Sequence, residues 1–121
     1  MDWDAQTFDE LAAVRDLDIV VPAPGHDTIR TPIWVVPLGE HLYVRSWKGQ
    51  EGRWYRRARR HGSGAVVTSG GERGVRFVPV TDAALDAAID REYLAKYGDT
   101  SPAQAMVRPP VSGTTLRLVP A

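Results

Sequence analysis

The sequence predicts a mainly β, α+β fold: a small closed or split barrel of six strands with helices at its flanks. Three observations carry this. Short β-branched and aromatic runs recur along the chain, each bounded by glycine or proline turns. Single helices separate the hairpins, an arrangement that closes into a small barrel and removes exposed edges. The length, 121 residues, supports one core, so residues 1–121 are expected to form a single domain.

Taken in order, Thr7-Phe8-Asp9-Glu10 reads as a capping box ahead of a short helix with Phe8, Leu11 and Ala12 on its inner side. Residues 17–21 form a strand stopped by Pro22, and 22–27 form a turn or edge connection, because Pro22 and Pro24 lack a backbone donor. Strands 31–37 and 41–47 make a hairpin around Gly39-Glu40. Ile33 and Val35 face one way and Trp34 and Val36 the other, so the first strand is expected to be buried on both faces. In the second, Leu42 and Val44 face the core while Tyr43 and Arg45 look outward.

A helix follows over residues 52–62 with a narrow apolar stripe of Trp54, Ala58 and His61, with Tyr55 beside it. Strands 65–69 and 74–80 flank a glycine-rich hairpin loop. This loop is no phosphate cradle, since neither GxxxxGK[ST] nor a following helix is present. Thr81 or Asp82 caps the longest helix, 82–97, and Pro102–Met106 fits a short one. The last strand is 114–119. The expected core includes Ile33, Val35, Leu42, Val44, Val66, Phe77, Ile89, Leu116 and Leu118.

Net charge is zero but segregated. Residues 1–29 carry a balance of −6, residues 30–76 of +7, and the remainder −1. A basic middle invites an anionic partner. Alternatively, Asp9, Glu10, Asp16 and Asp18 fold back and neutralise it. The absence of cysteine excludes disulfides, thiol nucleophiles and Cys-ligated zinc. No apolar run reaches the ~20 residues of a membrane helix, and the acidic start is unlike a signal peptide. A soluble cytoplasmic protein is expected. His26, His41 and His61 have no metal-ligand spacing, no GxSxG elbow is present, and Asp86, Asp90, Glu92 and Asp99 read as solvated positions.

The chemistry concentrates between Thr31 and His61, where a hairpin runs through the polar loop Arg45-Ser46-Trp47-Lys48-Gly49 into an Arg-rich helix. Arg53–Arg57 and Arg56–Arg60 are like-charge pairs at i,i+4, each costing about 0.2–0.5 kcal/mol. Arg45, Lys48, Arg56 and Arg57 are the anion candidates, and Trp47 and Trp54 a wall for a ring system. Tyr43 or Tyr55 could supply a proton, but no catalytic residue is assigned. The alternative to an enzyme is a non-catalytic protein binding a nucleotide-like anion, or single-stranded nucleic acid laid on Trp47, Trp54 and the basic helix.

The segments Ile33–Gly49 with Trp54-Tyr55-Arg56, then Ile89–Gly98, then Thr114–Pro120, resemble a family of small uncharacterised bacterial proteins. That resemblance covers about Trp3 to Pro120. The family is similar to the flavin-binding split β-barrels, including the deazaflavin-dependent nitroreductases and the pyridoxamine-phosphate-oxidase-like proteins. The resemblance implies the split form of the barrel, a homodimer, a small-molecule substrate, and FMN or a deazaflavin as cofactor, with nucleic acid disfavoured. In the deazaflavin reductases a serine, a lysine and a glycine follow the second hairpin strand, and a Trp-Tyr pair opens the next helix. Here Ser46, Lys48, Gly49, Trp54 and Tyr55 stand in those places, and Arg30 resembles the arginine before the first hairpin strand. Together with Arg45, Arg56 and Arg57 these are the expected cofactor-binding residues. Arg56 stands where a histidine is common in those reductases.

Overall fold

The computed structural model describes residues 2–121. Seven strands form one antiparallel sheet: β1 (Leu17–Ala23), β2 (His26–Ile33), β3 (Val35–Leu38), β4 (His41–Val44), β5 (Ser63–Thr68), β6 (Gly71–Pro79) and β7 (Leu116–Pro120). Their spatial order is β2-β1-β5-β6-β7-β4-β3. The two edges, β2 and β3, are therefore consecutive in the chain, with only Trp34 between them. Two residues span at most about 7 Å, so the sheet curls until its edges nearly meet at that end. The result is a split β-barrel whose seam lies along β2.

The seventh strand, β2, begins inside the connection expected at residues 22–27 and runs on through residues 28–30, for which no element is expected. It pairs along its length with β1, from Leu17↔Ile33 to Ala23↔His26. Pro22 does not stop β1; the register shifts there as a bulge, which accommodates a residue without an amide donor. The expected strand 31–37 is divided at Trp34 between the two sheet edges. Strand β4 ends at Val44 rather than at 47.

Alternation puts Ile19, Val21, Val35, Leu42, Val44, Val66, Val75, Phe77, Leu116 and Leu118 into the barrel interior. Helix α1 (Ala5–Ala13) adds Leu11, and helix α2 (Arg53–His61) adds Trp54, Tyr55 and Ala58. A second cluster covers the outer face of β3 and β4, where Val36 and Tyr43 meet Ile89 and Tyr93 of helix α3 (Ala83–Tyr97) and Met106 of helix α4 (Ser101–Met106). Strand β3 is thus buried on both sides, as its sequence implied. Tyr43 is buried against α3 rather than outward.

The caps explain the helix starts. Helix α1 begins earlier than the expected box, with Asp4 as cap: its carboxylate accepts from the Thr7 amide at 2.9 Å and the Thr7 hydroxyl at 2.8 Å. Those two bonds hold the Asp4 carboxyl below its ordinary range. Asp82 accepts from the Leu85 amide at 3.0 Å and starts α3. Gly62, at φ 75°, ends α2. No described helix is long and apolar enough to cross a membrane.

Candidate functional site

The site grows from the end of β4. Arg45 turns inward and is 1 % exposed. Its Nε donates to Thr115 Oγ1 at 2.9 Å, and Nη1 donates to Asp90 Oδ1 at 2.6 Å and to Met106 O at 2.9 Å. Nη2 donates to Asp86 O at 3.2 Å. Asp86 and Asp90, four residues apart on α3, grip the guanidinium from one helix face. Two expectations are thereby corrected. Arg45 is a buried clamp between β4, α3 and α4, with its donors occupied, and Asp86 and Asp90 are its partners rather than solvated positions.

Ser46 follows, also 1 % exposed. Its amide donates to Thr114 Oγ1 at 2.9 Å, but its own hydroxyl has no hydrogen-bond partner among the described residues. A Cβ on Gly52 would lie 2.3 Å from that hydroxyl oxygen, so any other residue there must displace the Ser46 hydroxyl. Gly49 is held at φ 64°, with its amide donating to Ser46 O at 2.8 Å. Helix α2 then begins without a side-chain cap and without an acid in its first turn. Its first amides and the Ser46 hydroxyl are donors in want of an acceptor.

These groups border a cleft of about 800 Å³. One wall is the seam strand, Arg30 to Ile33, with Trp34 beyond it; the other runs from Arg45 to Trp54; Pro102 and Met106 line it as well. Trp34 is fixed by stacking on Tyr97, with centroids 3.9 Å apart and 4° between planes, and by Nε1 donating to Asp16 at 3.1 Å. Lys48 is exposed at the rim, and Trp47, 55 % exposed, is the one large exposed hydrophobic among the described residues.

A second, smaller pocket of about 370 Å³ is lined by Arg53, Arg56, Arg57, Arg60 and His61 of α2 and by Ala23 and His26 of the β1–β2 hairpin. Arg57 is fixed there by Nη1 donating to Val21 O at 3.2 Å and Asp27 O at 2.5 Å.

The expected site residues thus separate. Arg30, Arg45, Ser46, Lys48 and Trp54 line the cleft; Arg56 and Arg57 line the smaller pocket; Gly49 shapes the loop; and Tyr55 lines neither, its hydroxyl accepting from Arg59 at 3.1 Å. Tyr43 also lies outside both cavities, and burial raises its phenol above the ordinary range. Reasoning from the sequence missed Arg53, which borders both cavities, and Trp34, Pro102 and Met106 in the cleft. Among the described residues no group of three metal-ligating side chains occurs.

Comparison with known proteins identifies a family and a fold. A family model described as an uncharacterized protein conserved in bacteria, DUF2255, matches residues 7–118. No curated protein matches. Among solved structures, a candidate pyridoxamine 5'-phosphate oxidase from Listeria innocua superposes with a TM-score of 0.65 at 16% identity, over 95% of this chain and 90% of that one. A FAD-binding protein from Mesorhizobium loti gives 0.63 at 15% identity, over 100% and 92%. An F420 reductase gives 0.56 at 14% identity, over 93% and 91%. Likeness at these identities establishes the split-barrel fold.

Proposed function

The chain belongs to the bacterial family DUF2255, and from that premise we propose that it is a flavin- or deazaflavin-dependent oxidoreductase acting on a small molecule, with the cofactor seated in the larger cleft. The observation that carries this reading is the buried, partnerless Ser46 hydroxyl beside an uncapped helix start, at one side of a cleft walled by Ile33, Trp34 and Trp54. A planar ring system suits the aromatic and aliphatic wall, and a phosphate suits the donors. The fold supports the reading, since the structures it resembles include a FAD-binding protein and an F420 reductase.

The residues present fit such a group. Ser46, Lys48, Arg30 and Arg53 would hold its phosphate, and Gly52, with no Cβ, leaves room for the buried Ser46 hydroxyl at the cleft wall. Arg53 brings a forked donor to the start of α2, where the helix dipole already favours an anion. Ile33, Trp34, Trp54 and Met106 would exclude water from the ring. When bound, a flavin or deazaflavin supplies the hydride chemistry itself.

The test is titration of the purified chain with FMN and with F420, followed by absorbance and cofactor fluorescence. One of them binds at micromolar concentration, and Ser46→Ala or Lys48→Ala weakens it about tenfold, a loss of roughly 1.4 kcal/mol. If neither binds at high micromolar concentration, or if Ser46→Ala binds as the unaltered chain does, the reading fails.

A further inference from the structure

The smaller pocket carries an inference of its own. Arg53, Arg56, Arg57 and Arg60 stand at i, i+3, i+4 and i+7, so α2 presents one continuous stripe of guanidinium groups on the face turned away from Trp54 and Ala58. An exposed helical face usually mixes charge signs to avoid the repulsion such a stripe creates. Here α2 itself holds no acid, and no carboxylate lines the pocket.

The acidic N-terminal segment does not supply the missing charge. Asp18 pairs with Arg30 at 2.7 Å, Glu10 lies 3.8 Å from Arg73, and Asp16 accepts from Trp34. Among the described residues, no ion pair joins an acid to any arginine of α2. The pocket is also partly prearranged. Two backbone carbonyls, of Val21 and Asp27, hold the Arg57 head in place, and the hairpin adds His26 opposite His61.

We infer that this pocket is a second anion site, separate from the cofactor cleft, which takes the phosphate of a small phosphate monoester. Its volume, about 370 Å³, exceeds what a bare phosphate fills and suits one carrying a compact organic group. Its lining distinguishes the ligand from nucleic acid. Single-strand binders commonly add Trp, Tyr or Phe faces on which successive bases stack, and none of these lines the pocket. The only carbon surface here beyond the arginine and histidine side chains is Ala23, and the exposed Trp47 belongs to the other cavity.

The test uses the full chain and phenyl phosphate, with inorganic phosphate and a short oligothymidylate for comparison, by calorimetry at low and moderate salt. Arg56 and Arg60 are both exposed, so the double variant Arg56→Gln/Arg60→Gln removes two cations without opening the core. Arg53 is left intact because it borders both cavities, and Arg57 because it holds backbone carbonyls.

Expected are one phenyl phosphate per chain, binding at least tenfold weaker in the double variant and unchanged in Arg91→Gln, an exposed arginine of α3 that lines neither cavity. The double variant alone melts no lower than the unaltered chain, because it relieves like-charge pairs, and phenyl phosphate raises its melting temperature less. Four results would overturn the inference: no saturable binding; equal weakening by Arg91→Gln, which marks diffuse surface charge; tighter binding of the oligothymidylate, which marks a nucleic-acid face; and a double variant that melts lower yet binds normally. Cofactor titration of the cleft is a separate measurement, so either site can fail alone.

Discussion

Replacing Gly52 with alanine tests the closest approach in the site. The added Cβ would sit 2.3 Å from Ser46 Oγ, about 1 Å inside an ordinary contact, while its next neighbours, Gly49 O and Ser46 Cβ, lie at 3.5 and 3.6 Å. The backbone is no obstacle, because Gly52 has φ −61°, and alanine there would restrict the unfolded chain, a gain of about 0.4–1 kcal/mol. The clash alone opposes it. Overpacking of this size costs about 1–3 kcal/mol, so Gly52→Ala should lose about 0.5–2 kcal/mol net. Ser46→Ala removes the clashing atom and also removes a buried hydroxyl without a partner. It should therefore stabilise the chain by about 1 kcal/mol while weakening cofactor binding, the expected trade between stability and function at a binding site. In the Ser46→Ala background, Gly52→Ala should cost nothing. Urea unfolding of the four proteins gives the coupling energy directly, expected at about 1–3 kcal/mol. A coupling below about 0.5 kcal/mol, or a Ser46→Ala variant less stable than the parent, would refute the reasoning.

Three further outcomes follow from the same structure. Arg45→Met should cost about 3 kcal/mol in urea unfolding, since it strips Asp86, Asp90, Thr115 and Met106 O of one shared donor, and Arg45→Lys should not rescue it because an ammonium cannot span those partners. Leu116→Ala, at a fully buried position joining β4 and β6, should cost about 2–5 kcal/mol; a loss under about 1 kcal/mol would place it outside the core. Burial pulls the Lys96 amine down to about 8 from 10.5, so the unfolded chain binds more protons between those values and stability should rise as pH climbs from 8. Burial pushes the Tyr97 phenol up to about 12 from 10.0, which reverses the slope above pH 10. Lys96→Met should flatten the rise in urea midpoint between pH 8 and 10.

What could be read from the sequence was what alternates. The β3–β4 hairpin and the interior residues Val66, Phe77, Leu116 and Leu118 announce themselves by period, because one face of each strand meets the core. Strand β2 does not. His26 to Thr31 has little apolar content, and the strand exists through its ladder to β1 and lies at an edge, mostly exposed. Arg45 misled for a related reason: a charge on a strand reads as outward, and the partners that permit its burial lie 41 to 70 residues away. The arginine stripe of α2 was legible as repulsion, but its separation from Ser46 and Lys48 depends on which way the helix rolls, and Trp54, Tyr55 and Ala58 decide that by entering the barrel.

The single residue between β2 and β3 has a mechanical consequence. Because Trp34 tethers the two free edges, the seam cannot part at that end by more than two peptide units allow. Any widening of the cleft must hinge there and grow toward the β1–β2 turn at Gly25, as a book opens from its spine. The indole at the spine, stacked on Tyr97, also lines the cleft, so its fluorescence reports on the hinge from the one place where the barrel does not open.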